Sequence, residues 1–468
     1  MLDKIKNSKL IGTKQFYNTV MLLAIPIMIQ NGITNFVSLL DNIMIGQIGT
    51  EAMSGVSIVN QILNVFNIGI FGLVSGAGIF GAQFYGCDNE EGFKQTMRFK
   101  IISGILVTAL VILLFLYQGE FLISLFLHSN NQTQIQSTMN SAKDYLGIMV
   151  LQMIPYALVQ AYSSSLRERG ETVLPMLSGL AAVVVNMMLN YVLIFGKLGL
   201  PVLGVKGAAI ATVVARFVEL FVVVIWTHTR NEYKAFTKGL YTSLAIKKSL
   251  VTQIIITGFP LMLNEALWAG GMATIMSGYS IRGLDTVAAF NISTTLSNLF
   301  NIVFIALGNA IAIMVGQLLG AEKFEEAKDT AFKLIFFSTI SCVFVGLVMI
   351  CFAPFFPLIY NTTPEVQKLA TYFLIIASIF MPSYSFMNAT YFTIRSGGKT
   401  WVTFLFDSVF VWIVSIPLCF FLTRVTTFPI TVIYFICQSS ELIKCIIGYV
   451  LVKKGVWINN LTETTPLL

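Results

Sequence analysis

The sequence predicts an all-α integral membrane protein that crosses the bilayer with twelve helices. The composition carries the first part of this prediction, because 56% of the 468 residues are hydrophobic and only 11% are charged. The second part rests on apolar runs of at least about 20 residues that recur along the whole chain. That is the length an α-helix needs to cross a hydrocarbon core of about 30 Å.

The apolar runs divide into six in each half of the chain. In chain order we place the spans at Tyr17–Ile43, Val56–Phe84, Ile101–Leu122, Ala142–Leu166, Val173–Phe195, Gly207–His228, Ser249–Tyr279, Val287–Leu319, Ala331–Tyr360, Val366–Ile394, Trp401–Leu422 and Thr427–Val452. Short polar segments separate them. Each run meets the length criterion for a membrane helix, and their even number places both termini on one side.

The Lys and Arg residues predict which side that is. Of the 29 such residues, 21 fall in segments on the side of the termini and six on the other, and Arg216 and Lys444 lie within spans. Cytoplasmic loops carry an excess of Lys and Arg. We therefore predict a multi-pass plasma membrane protein with both termini in the cytoplasm. The net charge of +7 reflects this topology, so we expect no nucleic acid partner.

The two halves of the sequence resemble each other. At an offset of 234 residues, Pro26 matches Pro260, and three further matches are Gly49 with Gly283, Gln83 with Gln317 and Gly86 with Gly320. Such self-similarity indicates a duplicated unit. Because each copy has an even number of spans, both copies enter the membrane in the same direction. We predict two six-helix bundles related by a pseudo-two-fold axis along the membrane normal, at 1–228 and 249–468, joined by a cytoplasmic linker at 229–248.

This architecture favours a secondary transporter over an enzyme. The sequence contains no phosphate-binding Gly-x-x-x-x-Gly-Lys-Ser/Thr loop and no Gly-x-Ser-x-Gly or His-Glu-x-x-His motif. Its six cysteines have no metal-ligand spacing. We expect no catalytic residue and no cofactor other than a coupling ion.

Charged residues within the spans are the candidate functional residues, because a charge near the bilayer centre costs about 2.5–3.5 kcal/mol on translocon scales. Arg216 with Glu219, and Glu441 with Lys444, lie three residues apart and can neutralise each other on one helix face. The acids Asp41, Glu265 and Asp407 have no such neighbour and are candidates for binding a coupling ion. A solvated position near the membrane surface is the alternative interpretation of Asp41.

The fifth and sixth predicted helices supply polar partners for Asp41. Asn186 and Asn190 are four residues apart and share a helix face, and Thr212 lies among small residues that permit close helix packing. An acid, two amides and a hydroxyl suit either a proton or sodium. Ordinary interhelical hydrogen bonding is the alternative explanation of the amides. Met149, Met153, Met187 and Met188 fit either an adaptable cavity wall or core filling.

Several segments resemble the bacterial multidrug and toxic compound extrusion (MATE) transporters. They are "AIPIMIQNGITNFVSLLDNIMIGQIGTEAMSG", "GAQFYGCDNEEGF", "NYVLIFGKLGLPVLGVKGAAIATVVAR", "GNAIAIMVGQLLGAEKFEEA" and "RSGGKT" followed by Asp407. The resemblance covers about Thr19 to Lys453. It implies an antiporter that exports organic cations or drugs in exchange for protons or sodium by alternating access.

The resemblance also implies roles for the candidate residues. Asp41 matches the coupling acid of the first helix, and Asn186, Asn190 and Thr212 match the polar cluster around it. Glu265 matches the seventh-helix acid of sodium-coupled relatives, but their tenth-helix acid has no counterpart here. Asp407 lies in the eleventh helix, so a second coupling site of Glu265 and Asp407 departs from the family pattern. Any sodium is expected at Asp41.

The expected partners are amphipathic cationic small molecules and the lipid bilayer, and we expect a monomer. A flippase for a lipid-linked saccharide is the alternative function, and it needs free basic residues in the cavity to meet a pyrophosphate. The two basic residues within the spans, Arg216 and Lys444, each have an acid nearby. The exporter therefore fits the sequence better.

Overall fold

The computed structural model describes residues 10–127 and 132–463, apart from the side chains of Ser38, Leu39 and Asn42. These ranges contain twelve helices that are long and apolar enough to cross a membrane, numbered α1–α12 below, and they contain no β-strand. The predicted all-α membrane fold with twelve spans is therefore confirmed.

The helices of the first half are α1 (Lys14–Gly46), α2 (Thr50–Gly86), α3 (Glu90–Ser124), α4 (Gln132–Glu168), α5 (Val173–Phe195) and α6 (Gly204–Thr229). Those of the second half are α7 (Lys248–Ser280), α8 (Leu284–Gly320), α9 (Phe324–Phe352), α10 (Pro364–Ser396), α11 (Thr400–Val425) and α12 (Ile430–Lys453). A 3₁₀ turn at Val150–Gln152 interrupts α4, and α11 widens into π-helical turns at Leu405–Val409 and Val411–Ser415.

Several helix boundaries differ clearly from the sequence prediction; α4, for example, begins at Gln132 rather than Ala142. Helix α3 begins at Glu90 rather than Ile101 because Arg98 and Lys100 are buried and bonded within the protein, so they do not end the helix. Helix α9 ends at Phe352 rather than Tyr360. Pro354 and Pro357 follow this end, and a proline lacks the N–H that a continuing helix needs.

The chain packs into two structural units. The N-unit comprises Ile29–Gly81 and Asn89–Gly258, and the C-unit comprises Phe259–Leu468 together with Ala82–Asp88 and the described part of Met1–Met28. The C-unit thus includes one end of α1 and one end of α2. The bundles at 1–228 and 249–468 stay a prediction from the sequence repeat.

Each unit has its own hydrophobic core. In the N-unit, one face of α2 with Val59, Leu63 and Phe66 packs on Met149 and Met153 of α4. The two methionines are buried in this core. They therefore fill the core, and only Met187 and Met188 of the four methionines are exposed.

The C-unit core includes a group of aromatic rings from four helices. Phe373 and Tyr434 lie 4.7 Å apart between ring centroids, and Phe290 and Tyr279 pack beside them at 5.5 Å from each other. These rings bring α7, α8, α10 and α12 together. Aromatic pairs at such distances stabilise packing beyond their burial.

The linker is bonded to the rest of the N-unit by a buried arginine. The Arg98 guanidinium of α3 donates to the carbonyl oxygens of Gly239 at 2.9 Å and Leu240 at 3.0 Å. It also forms an ion pair with Glu91 at 2.9 Å. The linker carbonyl oxygens thereby accept hydrogen bonds from an arginine side chain that hydropathy alone places in a loop.

Two helix ends in the C-unit meet through equivalent residues of the sequence repeat. Gly86 at the end of α2 lies against the backbone of Gln317, and Gly320 at the end of α8 lies against the backbone of Gln83. A Cβ on either glycine would overlap the facing carbonyl oxygen. We call these four residues the reciprocal contact.

A C-terminal segment closes over the reciprocal contact. The Gln83 amide donates to the oxygens of Ser396 at 2.9 Å and Asn459 at 3.2 Å, and its own oxygen accepts from the N–H of Leu461 at 2.7 Å. Trp457, in the same segment, is fully buried. The segment after α12 therefore ties the ends of α2 and α10 together within the C-unit.

Candidate functional site

The structure brings Asp41, Asn190, Asn186 and Thr212 together in one hydrogen-bonded chain. The Asn190 amide nitrogen donates to Asp41 Oδ1 at 2.6 Å and to Asn186 Oδ1 at 3.1 Å. The Asn186 amide nitrogen donates to Thr212 Oγ1 at 3.3 Å. The chain joins α1, α5 and α6, and we call it the N-unit polar cluster. Its role in coupling stays a prediction.

The turn between α5 and α6 positions two of the three helices that form the cluster. Gly196 adopts the left-handed conformation at φ 64° and ends α5, which glycine permits without a Cβ clash. Gly207 then lets α6 approach α5 closely, because a Cβ there would lie 2.7 Å from the Leu193 oxygen. This close packing places the Thr212 hydroxyl within reach of the Asn186 amide.

One oxygen atom of the N-unit polar cluster is buried without a hydrogen-bond partner among the described residues, and one carboxylate oxygen accepts no described hydrogen bond. The buried Oδ1 of Asn190, a residue only 1% exposed, has no hydrogen-bond partner among the described residues. Within the same ranges no group donates to Asp41 Oδ2. Buried polar atoms without partners are rare in folded proteins. The arrangement can therefore accept a proton or a cation without displacing an existing hydrogen bond.

An ion pair lies on the next turns of α6. Arg216 contacts Glu219 at 2.6 Å, as the spacing of three residues predicts, and its guanidinium lies 5.5 Å from the Tyr156 ring centroid. Arg216 also interacts electrostatically with Asp41. Asp41, Arg216 and Glu219 together carry a formal charge of −1, so one bound monovalent cation neutralises the group.

In the C-unit the structure corrects the expectation that Asp407 lacks a neighbouring charge. Lys444 of α12 contacts Asp407 Oδ1 at 3.2 Å and Glu441 at 2.9 Å. The pairing of Glu441 with Lys444 follows the sequence prediction. The bond to Asp407 was missed because it joins α11 and α12, and a spacing rule detects only pairs on one helix.

Further polar residues complete this buried group in the C-unit. The Asn264 amide nitrogen of α7 donates to Asp407 Oδ2 at 3.1 Å, and the Ser408 hydroxyl donates to Asn264 Oδ1 at 2.7 Å. Ser415 donates to Glu441 at 2.9 Å. The π-helical turns of α11 lie at these residues, as π-bulges commonly lie at functional sites. We call Asp407, Lys444, Glu441 and Asn264 the C-unit polar cluster.

Glu265 stands apart from this group in its bonding. It follows Asn264 on α7, and no hydrogen bond or ion pair joins it to a described residue, although Arg395 and Asp407 act on it electrostatically. Glu265 and Asp407 therefore differ in bonding, since Asp407 has described polar partners. Whether the two take part in coupling stays a prediction.

Replacing Lys444 with Met is expected to destabilise the protein strongly. Lys444 is 1% exposed, and its loss leaves Asp407 and Glu441 without their shared counter-charge. Removing one partner of a buried ion pair costs about 3–5 kcal/mol. The measurement is the thermal unfolding temperature of the purified protein in detergent. Combining Lys444→Met with Asp407→Asn and Glu441→Gln removes all three charges and should recover much of the loss. Equal instability of the single and triple variants would contradict this account.

The N-unit contains a second buried ion pair. The sequence prediction places both of its residues just outside the membrane spans. Lys100 of α3 contacts Glu168 of α4 at 2.5 Å, and Ser165 also accepts from the lysine at 3.2 Å. Gly81 of α2 faces this carboxylate, where a Cβ would overlap it. The two charges satisfy each other, so this pair holds α3 and α4 together and does not suggest a ligand site.

A metal-binding cluster of His, Cys, Asp and Glu is absent from the residues that the structure describes. A metal ion held by the described residues would therefore have at most two His, Cys, Asp or Glu ligands. In the N-unit polar cluster the Asp41 carboxylate contacts the Asn190 amide, and Asn186 and Thr212 follow as the next members of the hydrogen-bonded chain.

Known proteins match this chain in sequence and in fold. The MatE family model matches the chain twice, at residues 26–192 and 260–421, once in each half of the sequence repeat. The probable multidrug resistance protein NorM of Thermotoga maritima is 26% identical over 409 residues, which cover 86% of this chain and 84% of that protein. A protein of the same name from Bacillus cereus is 26% identical, covering 88% of this chain and 89% of its own.

A solved structure agrees on the fold. A mutant of the MATE transporter VcmN of Vibrio cholerae superposes with a TM-score of 0.85, covers 96% of this chain and 98% of its own, and is 19% identical. At this identity the likeness concerns the fold alone. It extends over nearly the whole chain.

Proposed function

Since the chain belongs to the MatE family, we propose that it is a secondary antiporter that exports amphipathic organic cations, including drugs, in exchange for protons or sodium. The names of its relatives, multidrug resistance proteins, support export of small molecules. The predicted cytoplasmic termini and twelve spans support a plasma membrane location. Alternating access between two bundles is the transport mode that a parallel repeat favours.

The N-unit polar cluster is the observation that carries the coupling mechanism. The Asp41 carboxylate accepts a hydrogen bond from Asn190 at Oδ1, and no described group donates to its Oδ2. The Oδ1 of Asn190 also has no hydrogen-bond partner among the described residues. With Arg216 and Glu219 nearby, the group is one positive charge short of neutrality. A coupling ion or a cationic substrate can supply that charge. Because either one neutralises the group, the binding of one weakens the binding of the other, which is the requirement for exchange.

A proton fits this cluster better than sodium. A protonated carboxyl gains one O–H donor, and the unsatisfied Asn190 oxygen is an acceptor within the same hydrogen-bonded pair. A hard metal cation needs several oxygen ligands at once. The described cluster offers one open carboxylate oxygen and one open amide oxygen.

Transport in everted membrane vesicles tests the proposal. Vesicles that contain the protein receive a fluorescent organic cation and either a pH gradient or a sodium gradient, and dye accumulation is followed. We expect accumulation with the pH gradient and its collapse when a protonophore is added. Accumulation driven by sodium alone would contradict proton coupling, and no accumulation with either gradient would contradict cation-coupled export.

Flipping of a lipid-linked saccharide has less support from the structure. Arg216 and Lys444, the two basic residues predicted within the spans, are each neutralised by carboxylates. Neither is left free to bind a pyrophosphate.

The monomeric state stays a prediction.

A further inference from the structure

An apolar cavity of about 260 Å³ lies in the C-unit between α9, α10, α12 and the segment before α1. Its lining residues are Leu10, Phe332, Ile335, Phe336, Thr339, Phe386, Thr390, Tyr449 and Val452. Seven of these nine side chains are aliphatic or aromatic. The cavity contains none of the residues of the two polar clusters, so it is separate from the proposed coupling site.

The lining residues form a groove parallel to the helices. On α9 they lie at positions 332, 335, 336 and 339, which is one face of the helix over a length of about 10 Å. Phe336, Tyr449 and Leu10 are exposed and form the mouth, whereas Thr390 and Val452 are buried at its base. A groove in this direction follows the bilayer normal, as lipid chains do.

Size and chemistry fit a hydrocarbon chain better than a drug-sized ligand. Sites for such ligands have volumes of about 300–1,000 Å³ and contain a few polar groups that fix the ligand's orientation. This cavity is smaller, and the Thr339 hydroxyl at its wall is already bonded to the Ile335 carbonyl at 2.8 Å. The groove can take up about 10 Å of a single hydrocarbon chain, and its apolar lining matches the polarity of such a chain.

Basic residues lie at the end of the groove. Lys453, four residues after Tyr449, lies with Nζ 5.7 Å from the Tyr449 ring centroid. Lys453 and Lys454 are exposed, and no ion pair joins either to a described residue. They lie at the membrane face that the charge bias predicts to be cytoplasmic. Basic groups at that face attract anionic lipids.

We propose that the groove binds one acyl chain of an anionic glycerophospholipid whose phosphate contacts Lys453 and Lys454. Because lipid tails are as apolar as the groove, van der Waals packing rather than hydrophobic burial holds the acyl chain in it. The groove therefore fixes the position of the lipid, and the lysines supply the selectivity for a negative headgroup.

Lipid retention measured by native mass spectrometry tests this site. The full-length protein is placed in nanodiscs of equal phosphatidylglycerol and phosphatidylcholine, and the lipids that remain bound after release into detergent are counted. We expect one retained phosphatidylglycerol in preference to phosphatidylcholine. Replacing Lys453 and Lys454 with Gln should reduce this preference by about fivefold for each lysine. Thr339→Phe fills the groove and should abolish retention.

Matched controls separate the site from general surface effects. Lys323→Gln with Lys328→Gln removes two basic residues that are already paired with acids at the start of α9. Val348→Phe adds the same bulk at an exposed position of α9 outside the groove. Both controls should retain the lipid as the unchanged protein does. Equal retention of the two lipids, undiminished retention by Thr339→Phe, or displacement of the lipid by a transported dye would overturn the proposal.

Discussion

Replacing Asp41 with Asn is expected to reduce gradient-driven export to the background of vesicles without the protein, while the protein stays folded. The substitution removes the charge that the coupling ion and the substrate share in the proposed mechanism. It keeps the shape of the side chain, and the new amide can donate to the unsatisfied Oδ1 of Asn190. The unfolding temperature should therefore change little. Dye accumulation under a pH gradient and thermal unfolding in detergent are the two measurements.

A matched control for this substitution lies in the same unit. Asp144 on α4 is about half exposed and pairs with Lys206 at 3.3 Å, so Asp144→Asn makes the same chemical change at a solvated ion pair. Exposed pairs contribute about 0–1 kcal/mol. This variant should export dye normally. Normal export by the Asp41 variant would remove Asp41 from the mechanism, and an unfolded Asp41 variant would indicate a structural role instead.

Adding a methyl group to Gly86 or Gly320 is expected to destabilise the protein by more than most single substitutions do. In each case the new Cβ overlaps a backbone carbonyl oxygen, which cannot move aside as a side-chain tip can. Forced overpacking typically costs about 1–3 kcal/mol and occasionally more. Thermal unfolding of Gly86→Ala and Gly320→Ala in detergent measures the effect.

Gly69→Ala is the control for these variants. Gly69 also lies in α2, but a Cβ there meets no atom within 4 Å. The change should be neutral or should stabilise the helix by about 0.5–1 kcal/mol, because alanine restricts the unfolded chain more than glycine does. If Gly86→Ala unfolds at the same temperature as Gly69→Ala, the reciprocal contact does not contribute to the stable form of the protein.

Much of the fold was predictable because membrane insertion leaves strong signals in the sequence. Hydrophobic length identified twelve spans, and the matched prolines Pro26 and Pro260 both lie inside their helices, α1 and α7. Helix ends were less predictable. The α3 extension depends on Arg98, whose charge is satisfied by carbonyl oxygens of a linker more than a hundred residues away. Hydropathy of a single segment contains no information about that partner.

The candidate sites show the same limit. Asn186 and Asn190 share a helix face by spacing alone, so their association was predictable, and Asp41 was a reasonable partner as an acid without a local counter-charge. The bonds of Lys444 to Asp407 and of Lys100 to Glu168 join different helices. Such pairs depend on how the helices pack against each other, and residue spacing along one sequence does not reveal that packing.

The reciprocal contact has the form of a contact in a symmetric dimer. Gly86 contacts Gln317, and the residues that match them in the other half of the repeat, Gln83 and Gly320, contact each other as well. Contacts of this kind form an isologous interface between two identical subunits. In a homodimer of such subunits, one glycine-to-alanine substitution would introduce the clash twice. In this single chain the two glycines are independent positions, so each can be substituted or compensated separately.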